Sequence, residues 1–500
     1  MGEQEKQGTA QNGAQGEQIK NVQQWQGVPL DAALENNMKR FDDILQVKKN
    51  YDILKRVFLI GKKEACFYFI DGFHKDMTMQ KLLQYFGSIT EQDTPQTMEA
   101  LLQKYMPYGE LEKVKDVDEL LGAILSGKPA LFIDGFAEAL TIDFRDYPAR
   151  GVTEPDKDKA MRGSKDGFVE TLAFNTALIR RRIRTPQFTI EMMSAGKSSR
   201  TDIAVCYMEN RVDKEFLRKV TDRIKSISVD ALTMNQQSLA ESMFHTRWFD
   251  PFPKFKYTER PDSAAACILE GSIVLLVDNS PSAMVLPASI FDIVEEADDY
   301  YFPPVTGTYL RLSRILIDFL AIILTPLFLL LTEYPEYVPN GFEFIAIKET
   351  MNIPLIWQFL ILEFTIDGLR LASINTPNML STPLSVVSGL VIGEFTVSSG
   401  WFNAEAMMYM AFVAIANYTQ VNFELGYALK FMRIITLLLT AWFGIWGFAA
   451  GLLFALVCIC FNKTIAGKSY IYPLIPFSFR ELARRIFRVS LPASEKRRKN

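Results

Sequence analysis

ILIDFLAIILTPLFLLL occupies residues 315–331 and contains a single charged side chain, Asp318. A helix of this length would extend about 25 Å, which is close to the roughly 30 Å thickness of bilayer hydrocarbon. The stretch therefore predicts a membrane-crossing helix. It also divides the chain, because apolar runs dominate from residue 310 onward whereas the preceding residues are rich in charge.

Further apolar segments follow the first predicted crossing. They comprise residues 354–371, 384–397, 404–418 and 434–461. Together they predict an α-helical transmembrane bundle over residues 305–478. The last segment contains Gly444, Gly447 and Gly451, and it permits one long tilted helix, a kinked helix or a helical hairpin.

Basic residues indicate how this bundle is oriented. Arg311 and Arg314 precede the first crossing, and residues 480–500 contain eight Lys or Arg against two Glu. The positive-inside rule places both the soluble region and the C-terminal tail in the cytoplasm. Both ends on one side require an even number of crossings. We expect four full crossings with a broken segment around residues 363–397, and six is the alternative.

The soluble region alternates short apolar runs with amphipathic segments. Residues 66–71 (CFYFID) are followed by Gly72, residues 131–136 (LFIDGF) echo this pattern, and residues 273–280 (IVLLVDNS) echo it again. Each run is typical of a buried strand that ends in a turn. An Asp at such a turn caps backbone amides, so we interpret these residues as structural rather than catalytic.

A βαβ unit is predicted from strand-like residues 201–208, an amphipathic helix at 214–224 and strand-like residues 229–234. The fold class expected for the soluble region is accordingly α/β, with subdomains of α+β or βαβ type. The predicted domains are a disordered Gln/Gly-rich tail (1–30), two α/β subdomains (31–146 and 147–300), the transmembrane bundle (305–478) and a basic cytoplasmic tail (479–500).

Motifs for enzymatic chemistry fail on inspection. Gly196-Lys197-Ser198 resembles the end of a phosphate-binding loop, but Glu191 stands where that loop requires glycine. The two histidines and five cysteines show neither zinc-ligand nor catalytic-triad spacing. We predict that the protein is not an enzyme and uses no metal or cofactor. A net charge of −4 gives no indication of a nucleic-acid partner. Transport, gating and reception are favoured instead.

Charged residues inside the apolar segments are the candidates for function. Placing a single charged side chain at a bilayer centre costs at least about 2.5 kcal/mol. We therefore expect these charged residues to face the bundle interior, water or one another: Glu363, Asp367, Arg370 and Glu394. They are the predicted pore or ion path. The alternative for Asp367 and Arg370, three residues apart, is a purely structural pair.

Two GxxxG motifs predict close helix packing, Gly389 with Gly393 and Gly447 with Gly451. Packing within one chain explains them as well as subunit assembly does.

The stretch YPARGVTEPDKDKAMRGSKDGFVETLAFNTALIRRRIR, residues 147–184, resembles the signature of the A subunits of spore germinant receptors, the GerA family of endospore-forming bacteria. Residues in family order and spacing are Arg150, Gly151, Glu154, Pro155, Arg162, Gly163, Gly167, Phe168, Glu170, Asn175 and the run Leu178 to Arg184, which includes Arg180, Arg181 and Arg182. The chain departs from the pattern at Ser164-Lys165, where family members commonly carry Pro-Arg.

The resemblance implies a multi-pass protein of the inner spore membrane with a cytoplasmic N-terminal region. It also implies a homo-oligomeric channel for monovalent cations that works with other germination membrane subunits. For the signature helix itself we expect a role in the fold or in subunit contact, with Arg180 to Arg184 pairing to Glu154, Asp156 or Glu170. A non-conducting scaffold or receptor is the alternative function. A secondary transporter is a weaker alternative because no inverted repeat is evident.

Overall fold

A computed structural model describes residues 25–106, 110–147, 163–244, 248–338, 341, 347, 353–375, 389–420 and 422–488. The predicted disordered tail lies outside these residues as far as residue 24, and the basic tail lies outside them from residue 489. The chain forms two compact units. The first comprises residues 1–160, 164–245 and 257–286, and the second comprises 161–163, 246–256 and 287–500.

The first unit contains two five-stranded sheets with helices around them. The elements of the first sheet and its helices are α1 (Leu34–Leu45), β1 (Ile53–Ile60), β2 (Lys63–Ile70), α2 (Asp76–Gly87), α3 (Met98–Tyr105), β3 (Leu111–Val114), α4 (Val117–Leu125), β4 (Ala130–Ile133) and β5 (Ala139–Ile142). Those of the second are α5 (Leu172–Arg182), β6 (Phe188–Ala195), β7 (Thr201–Met208), α6 (Lys214–Lys225), α7 (Asn235–Met243), β8 (Lys256–Thr258), α8 (Pro261–Glu270), β9 (Ile273–Val277) and β10 (Ala283–Leu286).

Side-chain alternation along β2 explains its continuous apolar run. Cys66 and Tyr68 lie in a core shared with α1 and α4, whereas Ala65 and Phe67 lie in a second core shared with α2 and α3. The strand is thus buried on both faces, which selects apolar residues at successive positions.

The two sheets share one topology. Their strand orders are β1-β2-β4-β5-β3 and β6-β7-β9-β10-β8, which are the same order in successive halves of the chain. Equivalent polar contacts recur as well: Asp134 after β4 accepts a hydrogen bond from the Leu34 amide at the start of α1, and Asp278 after β9 accepts one from the Leu172 amide at the start of α5. The first unit is therefore an internal repeat. The strand-to-turn echoes at residues 131–136 and 273–280 mark corresponding points in it, after β4 and β9, whereas the echo at 66–71 lies at the end of β2.

The expected βαβ unit is wrong. The ladders of β2 with β4 and of β7 with β9 are antiparallel, so both subdomains are antiparallel sheets with helices. Residues 229–234 are loop and turn rather than strand. Their carbonyls instead accept hydrogen bonds from the turn between β6 and β7, where the Lys197 amide reaches Val229 O at 3.1 Å. These contacts satisfy the backbone without a ladder.

The second unit is mainly helical. Its helices are α9 (Ile290–Val294), α10 (Asp298–Tyr301), α11 (Pro304–Glu333), α12 (Leu355–Asn375), a π-helix (Leu390–Phe395), α13 (Ala404–Tyr418), α14 (Phe423–Cys460) and α15 (Phe479–Ile486). Within the described residues, α11 and α14 are long and apolar enough to cross a membrane.

α14 is a hairpin of two helical legs. Its 38 residues are interrupted at Gly444, where φ is 55° and ψ is −131°. A Cβ at Gly451 would lie 2.7 Å from Cα of Thr436, although residues fifteen apart in a straight helix are separated by about 22 Å. The second leg therefore folds back on the first. Of the three forms that the sequence permits for this segment, the structure shows the hairpin.

Contacts inside this unit fix the direction of each helix. Phe328 near the end of α11 packs against Phe359 near the start of α12 and against Tyr409 in the first half of α13, so α12 and α13 both run opposite to α11. The first leg of α14 runs with α11, because Arg433 contacts the Ala321 carbonyl and Gly444 adjoins Tyr334.

Candidate functional site

Four charged side chains meet between α12 and the first leg of α14, and we call them the charged quartet: Glu363, Asp367, Lys430 and Arg433. Glu363 Oε1 accepts from Arg433 Nε at 2.7 Å, and Glu363 Oε2 lies 3.2 Å from Lys430 Nζ. Lys430 Nζ also reaches Asp367 Oδ2 at 2.5 Å. The spacing of four residues on α12 and three on α14 puts each pair on one helix face, so that the faces can meet.

The quartet is buried and balanced in charge. Arg433 is fully buried, Glu363 and Lys430 are nearly so, and only Asp367 is partly accessible. The cations make further bonds: Arg433 Nη1 donates to the Ala321 carbonyl at 3.0 Å, and Lys430 Nζ to the Glu363 carbonyl at 3.1 Å. Arg433 Nη2 is buried and has no hydrogen-bond partner among the described residues. Because two carboxylates face two cations, the site ties α11, α12 and α14 together without a net charge.

The sequence prediction does not include Lys430 and Arg433, because it places the start of the last apolar run at Ile434. A usable signal was present. Two cations three residues apart precede one apolar run, and two acids four residues apart lie within another. Such complementary sets predict a contact between the two segments.

The other predicted ion-path residues lie apart from the quartet. Arg370 does not supply the counter-charge of Asp367, which Lys430 provides; its guanidinium instead lies over the rings of Tyr418, Phe423 and Tyr427, at 5.4, 4.8 and 5.4 Å. Glu394 is exposed on the π-helix. A π-helix is rare and is often found at functional positions.

The two GxxxG motifs differ in their surroundings. Gly447 and Gly451 let the two legs of the hairpin pack closely. A Cβ at Gly447 would collide with Leu439 of the opposite leg, and a Cβ at Gly451 would collide with Thr436. Gly389 and Gly393 have no described atom within 4 Å of where a Cβ would stand. Within the described part of the chain, packing inside the subunit therefore explains the Gly447/Gly451 motif but not the Gly389/Gly393 motif.

Asn175 of the family signature holds the backbone ahead of α5. Its amide donates to the Val169 carbonyl at 2.5 Å and its carbonyl accepts from the Val169 amide at 2.8 Å. Asn37 makes the same two bonds to Asp31 ahead of α1. The repetition in both halves shows that this side chain builds the entry to a helix.

Arg180 joins the two sheets of the first unit. Its guanidinium is fully buried and forms a two-point contact with Asp52, at 2.7 and 3.0 Å, while Nη1 donates to the Phe188 carbonyl at 2.9 Å. Its partner is thus Asp52, just before β1, rather than the expected Glu154, Asp156 or Glu170. The contact is internal to the subunit.

The next two arginines of the signature are less buried. Arg181 is exposed and lies over the Tyr147 ring at 4.8 Å. Arg182 pairs with Asp166 at 2.6 Å and also donates to Ser164, one of the positions where the chain departs from the family pattern. Burial raises the pKa of the Asp166 carboxyl, but the bonds from Arg182 and Ser164 outweigh it and leave that pKa below its usual range.

The remaining signature residues divide by position. Phe168 is buried in the core of the second sheet, Gly167 is buried beside it, and the Glu170 side chain is exposed. Gly163 has φ of 108°, and a Cβ there would collide with the Tyr301 ring, so glycine is required. The signature positions that lie outside the described residues are Arg150, Gly151, Glu154, Pro155 and Arg162.

Comparisons with known proteins agree with the resemblance noted in the sequence. The family model described as Bacillus/Clostridium GerA spore germination protein matches residues 40–500. Stage V sporulation protein AF of Bacillus subtilis (strain 168) is 33% identical over 462 residues, which cover 92% of this chain and 93% of that protein. Spore germination protein KA of the same organism is 28% identical and covers 90% of this chain and 84% of its own length.

Among solved structures, the N-terminal domain of the A subunit of the Bacillus megaterium spore germinant receptor GerK3 aligns with 52% of this chain and 96% of its own, at 24% identity and a TM-score of 0.41. The family assignment rests on the sequence matches, which span nearly the whole chain. The chain belongs to the GerA family of spore germination proteins.

Proposed function

We propose that this protein is an A-type subunit of a spore germination complex in the inner spore membrane, and that as a homo-oligomer it conducts monovalent cations early in germination. The observation that carries the proposal is the exposed Glu394 carboxylate on the π-helix, next to Gly389 and Gly393. An acidic side chain within an apolar segment is costly to expose to lipid, and intramembrane charges of this kind mark ion paths in other proteins.

The acids have different parts in this proposal. Glu363 is engaged by both Lys430 and Arg433, so it holds the bundle together rather than meeting an ion. Glu394 is exposed and follows Gly393, where no atom of the described residues lies within 4 Å of the position that a Cβ would take, and a glycine of this kind lets a neighbouring helix approach closely. Association of several copies through Gly389 and Gly393 would collect the Glu394 carboxylates into an acidic ring, which concentrates cations and repels anions.

Helix directions favour six crossings over four. α12 ends where Arg370 meets Phe423, at the start of α14, while Phe402 just before α13 packs with Phe359 near the start of α12. Asn375 at the end of α12 and Ala404 at the start of α13 therefore lie at opposite ends of the bundle. One crossing between these ends, added to α11, α12, α13 and the two legs of α14, gives the six passes that we propose, with both ends of the chain on the cytoplasmic side.

Potassium release from proteoliposomes tests the proposal. Purified protein is reconstituted into potassium-loaded vesicles, and efflux is followed with an external potassium electrode. We expect efflux well above that of protein-free vesicles. Efflux no faster than the empty-vesicle background, from preparations in which the oligomer is shown to be intact, would reject conduction by this subunit alone.

A non-conducting scaffold is the second candidate, and the charge balance of the quartet favours it. A cluster of two carboxylates paired with two cations offsets the cost of burying four charges through helix association alone. If the protein is such a scaffold, the purified protein should associate with other germination subunits but should produce no potassium efflux above that of empty vesicles.

A further inference from the structure

Two segments of the second unit expose aromatic side chains beside the end of its last long helix. Trp248 is completely exposed and Phe249 is 73% exposed. The second segment follows the hairpin, and its exposed apolar residues are Tyr472, Leu474, Ile475, Phe477 and Phe479. A concentration of exposed apolar side chains of this kind is typical of a contact with a membrane or a partner.

Both segments are fixed to residues just beyond Cys460, where α14 ends. Asp250 accepts a hydrogen bond from Asn462 at 3.3 Å, and Lys254 donates to the Lys463 carbonyl at 3.5 Å and also to the Asn462 side chain. These bonds hold the segment that carries Trp248 and Phe249 against the first turn after the helix.

The second segment is anchored at the same place. The Tyr470 amide donates to the Asn462 carbonyl at 3.1 Å, and the Tyr470 ring packs against Phe252 with 6.1 Å between centroids. Two stretches that are more than 200 residues apart in sequence thus meet at the level where the apolar hairpin stops. We call the exposed side chains of residues 248–249 and 472–479 the aromatic collar.

The position and composition of the collar indicate its occupant. Tryptophan, tyrosine and phenylalanine at the end of an apolar helix are typical of the headgroup region of a bilayer, where the ring is buried in lipid and polar atoms stay wet. The chain that continues from the collar is basic, with eight Lys or Arg between residues 480 and 500. Such a sequence is attracted to anionic lipid on the cytoplasmic leaflet.

We propose that the aromatic collar lies in the headgroup region of the cytoplasmic leaflet and binds anionic phospholipid, which fixes the height of the second unit in the membrane. The inference rests on the proposed membrane location of α14. An exposed Trp-Phe pair in the cytosol would have no such reason to be held against the end of a membrane helix.

Fluorescence quenching by lipids tests this placement in the full chain. Cysteine is introduced singly as Trp248→Cys or Phe477→Cys in a background without the native cysteines and is labelled with the environment-sensitive dye NBD. The vesicles contain phosphatidylcholine with phosphatidylglycerol, and a spin label at carbon 5 or carbon 12 of the acyl chain acts as the quencher. Met77→Cys and Met234→Cys are matched controls, because these first-unit residues are 69% and 70% exposed.

A label at Leu456→Cys, on an exposed position of the second leg of α14, reports membrane insertion independently. We expect the labels at 248 and 477 to be quenched at least twofold more by the shallow spin label at carbon 5 than by the deep one at carbon 12. The label at 456 should be quenched more by the deep spin label. The labels at 77 and 234 should be quenched by neither. Omission of phosphatidylglycerol should weaken the quenching at 477.

Quenching at 456 with none at 248 and 477 would overturn the collar while leaving the membrane location intact. Labels at 248 and 477 that are shielded from aqueous iodide but untouched by either lipid quencher would show that a protein surface covers these residues, and would equally overturn it. Absence of quenching at 456 would reject the membrane location itself, and the collar with it.

Discussion

Glu363 is the residue on which the buried charges of the helical unit depend. Loss of its charge leaves Arg433 without a carboxylate partner in a fully buried position, whereas Lys430 keeps Asp367. Breaking a buried pair on one side typically costs about 3–5 kcal/mol, and replacing both partners by apolar residues costs far less. The quartet therefore predicts strong coupling between positions 363 and 433.

A double-mutant cycle measures that coupling. We expect Glu363→Met and Arg433→Met each to lower the thermal unfolding temperature of the detergent-solubilised protein markedly, and the double variant Glu363→Met/Arg433→Met to restore most of the loss. Strictly additive effects of the single changes would show that the two side chains do not act as a pair.

Arg180 gives the corresponding prediction in the soluble unit. Arg180→Ala removes both bonds to Asp52 and leaves a buried carboxylate unpaired, at a cost of about 3–5 kcal/mol. Arg181→Ala is the matched control, since it removes only an exposed contact with the Tyr147 ring, worth about 0.5–1 kcal/mol. Limited proteolysis and urea unfolding of the full chain should separate the two variants. If Arg180→Ala and Arg181→Ala were equally sensitive to protease and to urea, the assigned role of Arg180 would be contradicted.

At the scale of the element, the hairpin assigns different roles to the two GxxxG motifs. Gly447→Ala places a methyl group against the Leu439 carbonyl and should destabilise the chain, whereas Gly393→Ala meets no described atom. We therefore expect Gly393→Leu to leave the unfolding temperature nearly unchanged while it lowers the fraction of oligomer.

Size-exclusion chromatography with light scattering, run beside a thermal melt, checks both parts. The oligomer size of Gly393→Leu is the deciding quantity. If it equals that of the unmodified protein, the Gly389/Gly393 surface is not the subunit contact.

Elements differ in how well the sequence predicts them, for physical reasons. The strand ends at Asp71, Asp134 and Asp278 were recognisable because turn chemistry is local. The pairing of strands was not recognisable, because it depends on contacts between distant segments. Residues 229–234, for example, have a strand-like pattern, but their backbone bonds to the turn at residue 197 and forms no strand. The quartet likewise required partners 63 to 70 residues apart in sequence.

At the scale of the whole molecule, topology is open to direct measurement. Cysteines placed near Gly72 and after Ser494 should react with a membrane-impermeant maleimide only from the cytoplasmic side. Six crossings further predict cytoplasmic labelling at Ser373 and external labelling at Trp401. External reaction near Gly72 or after Ser494 would contradict an even number of crossings, and labelling of residues 373 and 401 from the same side would contradict six.

Two native thiols of the first unit interfere little with this test, whereas Cys267 is only partly buried and is replaced beforehand. Cys66 and Cys206 are buried in central strands, and burial raises the pKa of the Cys66 thiol to about 12 and raises that of Cys206 as well. Neither thiol is appreciably ionised near neutral pH, so reaction with maleimide is slow in the folded protein.

The general organisation of the molecule was readable from the sequence, and the assignment of its charges was not. A charge-rich soluble region followed by apolar helices appears in the composition, and the signature at residues 147–184 indicated the family. Glu363 and Glu394 looked equivalent in sequence, both being acids in apolar surroundings. Only the packing shows that Glu363 is neutralised inside the subunit while Glu394 is exposed.

Cation preference provides the most direct test of conduction through an acidic ring. Reversal potentials are recorded under a potassium chloride gradient for reconstituted oligomers of the unmodified protein, of Glu394→Gln, and of Glu241→Gln, a change at an exposed acid of the first unit. We predict that the unmodified protein and Glu241→Gln prefer potassium over chloride, and that Glu394→Gln assembles normally but loses at least threefold of that preference. A Glu394→Gln oligomer with unaltered conductance and unaltered preference would contradict the proposal.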